Sequence, residues 1–127
     1  MRYRAVAATV VAFLVLDAVW LSLAGPHLYR PALGHLLASD VDWVAALLFY
    51  VLYLAGLAVF AVAPGRTAGG AAWRGALFGL VAYATYDLTN QATLRDWPWL
   101  VTLADLAWGA FASAAACALG AAIRSRR

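Results

Sequence analysis

Between Trp43 and Ala63 the chain runs for 21 residues without a single charge. A stretch of that length and character crosses a bilayer. It must do so as a helix, because in hydrocarbon the backbone has to satisfy its own hydrogen bonds. Three more apolar runs accompany it, at Ala5–Ala24, Gly75–Leu94 and Trp99–Ile123. Only 12% of the 127 residues are charged, against 66% hydrophobic and a mean hydropathy of +0.81. A soluble domain needs about twice that share of charge to cover its surface. The pattern predicts an all-α integral membrane four-helix bundle, a single domain over residues 1–127, with helices at about 5–24, 43–63, 75–94 and 99–123.

The first run deserves separate treatment, since Arg2 and Arg4 before it and Ser22-Leu23-Ala24 at its end imitate a cleaved leader. Asp17 and Trp20 interrupt its apolar region, and its length matches a full span, so it reads as a retained helix. Gly25–Asp42 is then the longest connection, broken by Gly25-Pro26, Pro31 and Gly34, with a short surface helix expected over Pro31–Ala38.

Orientation follows from the arginines. Arg2, Arg4, Arg66, Arg74, Arg124, Arg126 and Arg127 gather on one side, and only Arg30 and Arg95 on the other. Basic residues in short loops favour the cytoplasm, which places both termini there. Trp43, Trp97 and Trp99 are expected at the outer boundary, and Tyr3 and Trp73 at the inner one. Every basic residue is Arg and every acidic one Asp; with abundant Ala, Leu and Gly this suggests a GC-rich genome and a bacterial cytoplasmic (inner) membrane. The net charge of +3 is that of helix ends and gives no reason to expect nucleic acid.

With orientation fixed, residue numbers become depths. Asp17 lies about seven residues below the outer end of the first helix, roughly 10 Å at the helical rise. Asp105 and Asp87 fall at much the same depth on the fourth and third helices, and Tyr50 on the second. An ionised Asp at a helix centre costs about 2.5–3.5 kcal/mol, so three unpaired ones cost roughly 8–10 kcal/mol. Protonation reduces that cost, as do hydrogen bonds from Asn90, Tyr50, Tyr53, Tyr83, Tyr86 or the indoles of Trp20 and Trp108. Water entering from outside, or Arg30 and Arg95 folding inward, would do the same. Intramembrane acids point first to function, and a water-accessible pocket opening outward is the expectation. The plainer alternative is that the polar groups only fasten the helices together.

Two patterns refine this picture. Tyr83, Tyr86, Asp87 and Asn90 share one face of the third helix, and Gly75 and Gly79 continue that side. Asp105, Gly109, Ala112, Ala116 and Gly120 make a comparable stripe on the fourth, with Ser113 beside it. Small residues allow close approach where lipid supplies no hydrophobic drive. The inner half is therefore expected to be tight and the outer half polar. Asp-x-x-Trp occurs twice, at Asp17/Trp20 and Asp105/Trp108, placing each indole where it can donate to a neighbour's acid.

Other chemistry finds little support. His27 and His35 are eight apart in a connection, not at the i,i+3 or i,i+4 spacing of helical metal pairs, so no metal is expected. No serine sits in a G-x-S-x-G context and no glycine motif follows a strand, and no cofactor is expected. Cys117, the one cysteine, reads as a small core residue.

The chain resembles a family of small four-helix bacterial membrane proteins catalogued as a domain of unknown function. The resemblance rests on Asp17-x-x-Trp20, Leu33-Gly34-His35-Leu36-Leu37, Phe49-Tyr50-x-x-Tyr53, Tyr83–Leu94, Trp97-Pro98 and Asp105-x-x-Trp108-Gly109. It carries no assigned activity; some relatives are associated with lipid-modifying or stress-response proteins, a hint toward lipid chemistry. Three functions stay open. One is a pocket acting on a lipid or other amphiphile, as an enzyme or its accessory subunit, with Asp87 as central acid/base tuned by Asp17 and Asp105. Another is a small proton-coupled transporter working as a dimer. The third is a structural or assembly protein with a membrane partner.

Overall fold

A computed structural model describes residues 2–125. Arg126 and Arg127, two of the arginines in the orientation count, lie outside the described residues. Those described form helices α1 (Arg2–Ala24), α2 (Arg30–Leu33), α3 (Trp43–Leu57), α4 (Ala68–Thr93) and α5 (Trp99–Ser125), with no strand among them. Three helical stretches are long and apolar enough to cross a membrane: Tyr3–Leu36, Trp43–Val62 and Trp99–Arg124. At 26 residues α4 has the length. It misses the apolar criterion because Arg74, Asp87, Asn90 and Gln91 dilute it.

Caps and breakers set the boundaries. Asp42 Oδ1 accepts from Ala45 N at 3.1 Å and opens α3; Thr67 Oγ1 accepts from Gly70 N at 2.9 Å and opens α4. Each satisfies one backbone donor that a helix start leaves unpaired. The Thr67 cap starts α4 at Ala68 rather than Gly75. The α4–α5 turn uses Asp96 at φ 64°, a left-handed conformation that Asp tolerates better than most side chains.

Gly25-Pro26 does not end the first helix. The chain continues through a π turn at Gly25–Tyr29, α2, and a 3-10 turn at Gly34–Leu36. Pro26 has no N–H to donate, and the backbone bond that closes the turn runs from Arg30 N to Gly25 O, the wide i→i+5 spacing of a π turn. The segment expected as a surface connection is thereby folded onto the bundle end, where Leu33 packs with Trp97 and Val101.

The helices are not held together equally. On the α4/α5 seam a Cβ at Gly79 would stand 2.1 Å from Gly109 O, and one at Gly75 2.7 Å from Ser113 O and 3.0 Å from Cys117 Sγ. Backbones meet there with no side chain between them. The α1/α5 seam is also close: a Cβ at Gly120 would lie 2.0 Å from Thr9 Oγ1. Ala5, Ala112, Ala116, Cys117 and Ala121 are all fully buried in this half. Helix α3, by contrast, buries only Tyr53 and Leu57 within its α-helical length, while Val44 (71%) and Leu52 (72%) face outward. Its far end, a π turn at Ala58–Val62, is fixed by Arg124, which donates to Val62 O at 2.8 Å and also to Gly65 O.

Candidate functional site

Helix α1 brings Asp17 and Trp20 inward, and α5 brings Asp105 and Trp108. The two indoles stack, with ring centroids 4.8 Å apart and planes 8° from parallel. Trp108 Nε1 lies 3.4 Å from Asp17 Oδ1, so the indole of one pair serves the acid of the other. The reverse link runs through a tyrosine: Trp20 Nε1 donates to Tyr29 Oη at 2.9 Å, and the Tyr29 hydroxyl donates to Asp105 Oδ1. From α3 the Tyr50 hydroxyl donates to Asp17 Oδ2. Each of these two acids thus receives one tyrosine hydroxyl, and each indole contributes to the other pair's acid, directly or through Tyr29.

Between these groups lies a cavity of about 330 Å³, at the small end of the range for ligand sites. Asp17, Trp20, Tyr29, Tyr50, Asp105 and Trp108 line it, and Tyr83 with Ala82 completes the α4 wall. Its rim carries Leu21, Phe49 and Tyr86, all exposed. The opening is therefore flanked by α3 and its neighbours. One turn before Asp105 on α5, Val101 packs with Leu33 and Trp97.

Asp87 stands apart from this cavity. Its side chain is fully buried and neither carboxyl oxygen has a hydrogen-bond donor. Its charged neighbour is the Asp105 carboxyl, which in turn is near Asp17. Two neighbouring carboxyls bond only when a proton is held between them. Among the described residues no arginine is a charged neighbour of either. Arg30 and Arg95, the cations considered for this role, are exposed.

Of the residues singled out from sequence, the structure gathers Asp17, Asp105, Trp20, Trp108, Tyr50, Tyr83 and Tyr86 around one space. It seals Asp87 behind Asp105 and leaves Tyr53 and Asn90 off the wall. The Tyr53 hydroxyl pairs instead with Ser113 Oγ, and Asn90 lies beside Tyr86. Trp97 is 7% exposed, packed into the turn between α4 and α5. Its Nε1 donates to Thr102 Oγ1 at 3.1 Å, Thr102 donates to Gln91 Oε1 at 2.8 Å, and Gln91 Nε2 donates back to Trp97 O at 2.6 Å. This closed ring pins the α4–α5 turn over the site. Sequence reasoning missed Tyr29, Phe49, Gln91 and Thr102. Polar residues near the facing ends of α4 and α5 were the available signal for the last two.

His27 and His35 are exposed, and no group of three metal-ligating side chains occurs among the described residues. The arrangement offers carboxylate acceptors, neutral hydroxyl and indole donors, and aromatic faces. It can bind and hold a proton.

The chain belongs to the family described as "Predicted membrane protein (DUF2177)", whose profile matches residues 3–122. No curated protein and no solved structure matches it.

Proposed function

We propose that this member of the DUF2177 family is a four-span bacterial inner-membrane protein, with both termini cytoplasmic, that binds a lipid or another amphiphile in the cavity between α1, α3, α4 and α5. One observation carries the reading. A space of about 330 Å³, walled by aromatic rings and two acids, has its exposed rim on Leu21, Phe49 and Tyr86. An aromatic and apolar wall with a few convergent polar groups is the usual make-up of a small-molecule site. An exposed rim of apolar and aromatic side chains suits a ligand that arrives with its tail in the bilayer. The fourth span is α4, whose length suffices, whose Asp87 is buried, and whose exposed Thr85, Thr89 and Thr93 bond back to their own helix's carbonyls.

Binding is favoured over catalysis in this chain alone. Asp87, the expected acid/base, does not reach the cavity, so it cannot touch what the cavity holds. A catalytic role would belong to a partner enzyme for which this chain presents the amphiphile. The Asp87–Asp105 contact favours a second reading, a proton-coupled carrier, because a proton between those carboxyls is the one ionisable link from the buried acid to the cavity.

Native mass spectrometry tests the first reading. Protein drawn from its own membrane should retain a lipid or amphiphile, and Ala82→Trp, which fills the cavity without removing any hydrogen bond, should lose it. Equal retention by both proteins would overturn the proposal.

A further inference from the structure

The acids set the sign of the ligand. Asp17 and Asp105 are 6% and 5% exposed, Asp87 is fully buried, and among the described residues no cationic side chain lines the cavity. Their partners are tyrosine hydroxyls and one indole. These donors are neutral: they satisfy lone pairs and leave the charge uncompensated. A carboxylate has about four acceptor positions, so each acid keeps room for a further donor after its tyrosine. An anion entering here would meet two carboxylates in a low-dielectric space where repulsion is poorly screened. A cation would meet the opposite field.

The rest of the wall points the same way. Tyr50, Tyr83, Tyr86 and Phe49 surround the space from α3 and α4, with the stacked Trp20 and Trp108 opposite. Aromatic rings attract cations through the negative potential of their faces, and a cage of them with nearby acids is the usual receptor for an alkylated ammonium group. Asp87 adds an independent observation: it is a fully buried carboxyl neighbouring Asp105, and neither of its oxygens has a donor among the described residues. A proton shared by the two carboxyls still leaves one negative charge on the pair, so the acid on the cavity wall keeps its need for a positive partner.

We propose that the cavity accepts an alkylated ammonium group, held between Asp17 and Asp105 and against the rings of Tyr50, Tyr83 and Tyr86. The ammonium group is the head of an amine-bearing lipid or a free organic cation. The inference rests on the cavity being a binding site, as proposed above, and adds the charge of what it binds.

The two claims separate in one experiment. Purified protein in the uncharged detergent dodecyl maltoside is titrated with octyltrimethylammonium, octyl glucoside and octyl sulfate, with isothermal titration calorimetry as readout. The expected order is the cation first, by about tenfold or more over the neutral glucoside, with no binding of the sulfate. Ala82→Trp should abolish the cation response. Choline, which carries the ammonium group without a chain, distinguishes the sources: binding as tight as the octyl compound identifies a free cation, and binding only of the octyl compound identifies a lipid head. Asp17→Asn and Asp105→Asn should each weaken the cation about tenfold while leaving the glucoside unchanged. Equal binding of cation and glucoside by wild-type protein would overturn this inference and leave the amphiphile site standing. Absence of binding by all the probes would overturn both.

Discussion

The two sides of α4 are built on opposite principles. Towards α5 its glycines let backbone meet backbone, so that a Cβ at Gly79 would lie 2.1 Å from a carbonyl oxygen. Towards α3 the contacts are rings: Phe78 against Gly56, and Phe78 and Tyr83 against Tyr53, whose hydroxyl pairs with Ser113 on α5. The first seam is specified by what is absent and has no slack. The second is specified by long side chains that can shift. The cavity lies where the loosely packed α3 meets the other helices, while the glycine contacts of the α4/α5 seam themselves leave no room.

The contrast can be broken at its rigid end with Gly79→Ala. The added methyl meets Gly109 backbone, which cannot turn aside, and should cost about 3 kcal/mol or more, the upper end for overpacking, read as thermal unfolding in detergent. An unchanged melting temperature would show that the seam has slack after all. Tyr53→Phe removes one interhelical hydrogen bond from the looser side. Such bonds in membranes average about 0.6 kcal/mol with a maximum near 1.7, and the variant should fall in that range by the same assay while retaining its fold. The smallest effect is expected of Gly56→Ala. Its methyl would sit 2.3 Å from the Phe78 ring tip, a far end that can move, so the loss should stay under about 1 kcal/mol. Gly56→Ala matching Gly79→Ala in cost would erase the distinction between the seams.

These elements also mark what could be read from the chain alone. The rise along a helix is constant, so Asp17, Asp105 and Tyr50 could be set at one depth before any coordinates were known. The small stripes on α4 and α5 could be matched in the same way. Rotation about the helix is harder. Tyr83, Tyr86 and Asp87 share a face by spacing, yet successive residues differ by about 100°. That step is enough to turn Tyr86 to the rim and Asp87 behind Asp105. Tyr29 escaped because Gly25-Pro26 reads as a helix end, whereas the wider π turn absorbs the missing N–H and carries the tyrosine on to Asp105. Trp97 is expected at an interface, where a tryptophan beside a span ordinarily sits; spacing alone does not show the closed ring of hydrogen bonds that Gln91 and Thr102 offer it.

Cys117 gives the rigid seam a chemical clock. Its sulfur is fully buried against Gly75, and a buried apolar thiol is inert until it is uncovered. It is the chain's one cysteine, so any thiol label the protein takes up must have reached that position. Labelling therefore counts the moments when α4 and α5 part, and it reports on them without a mutation.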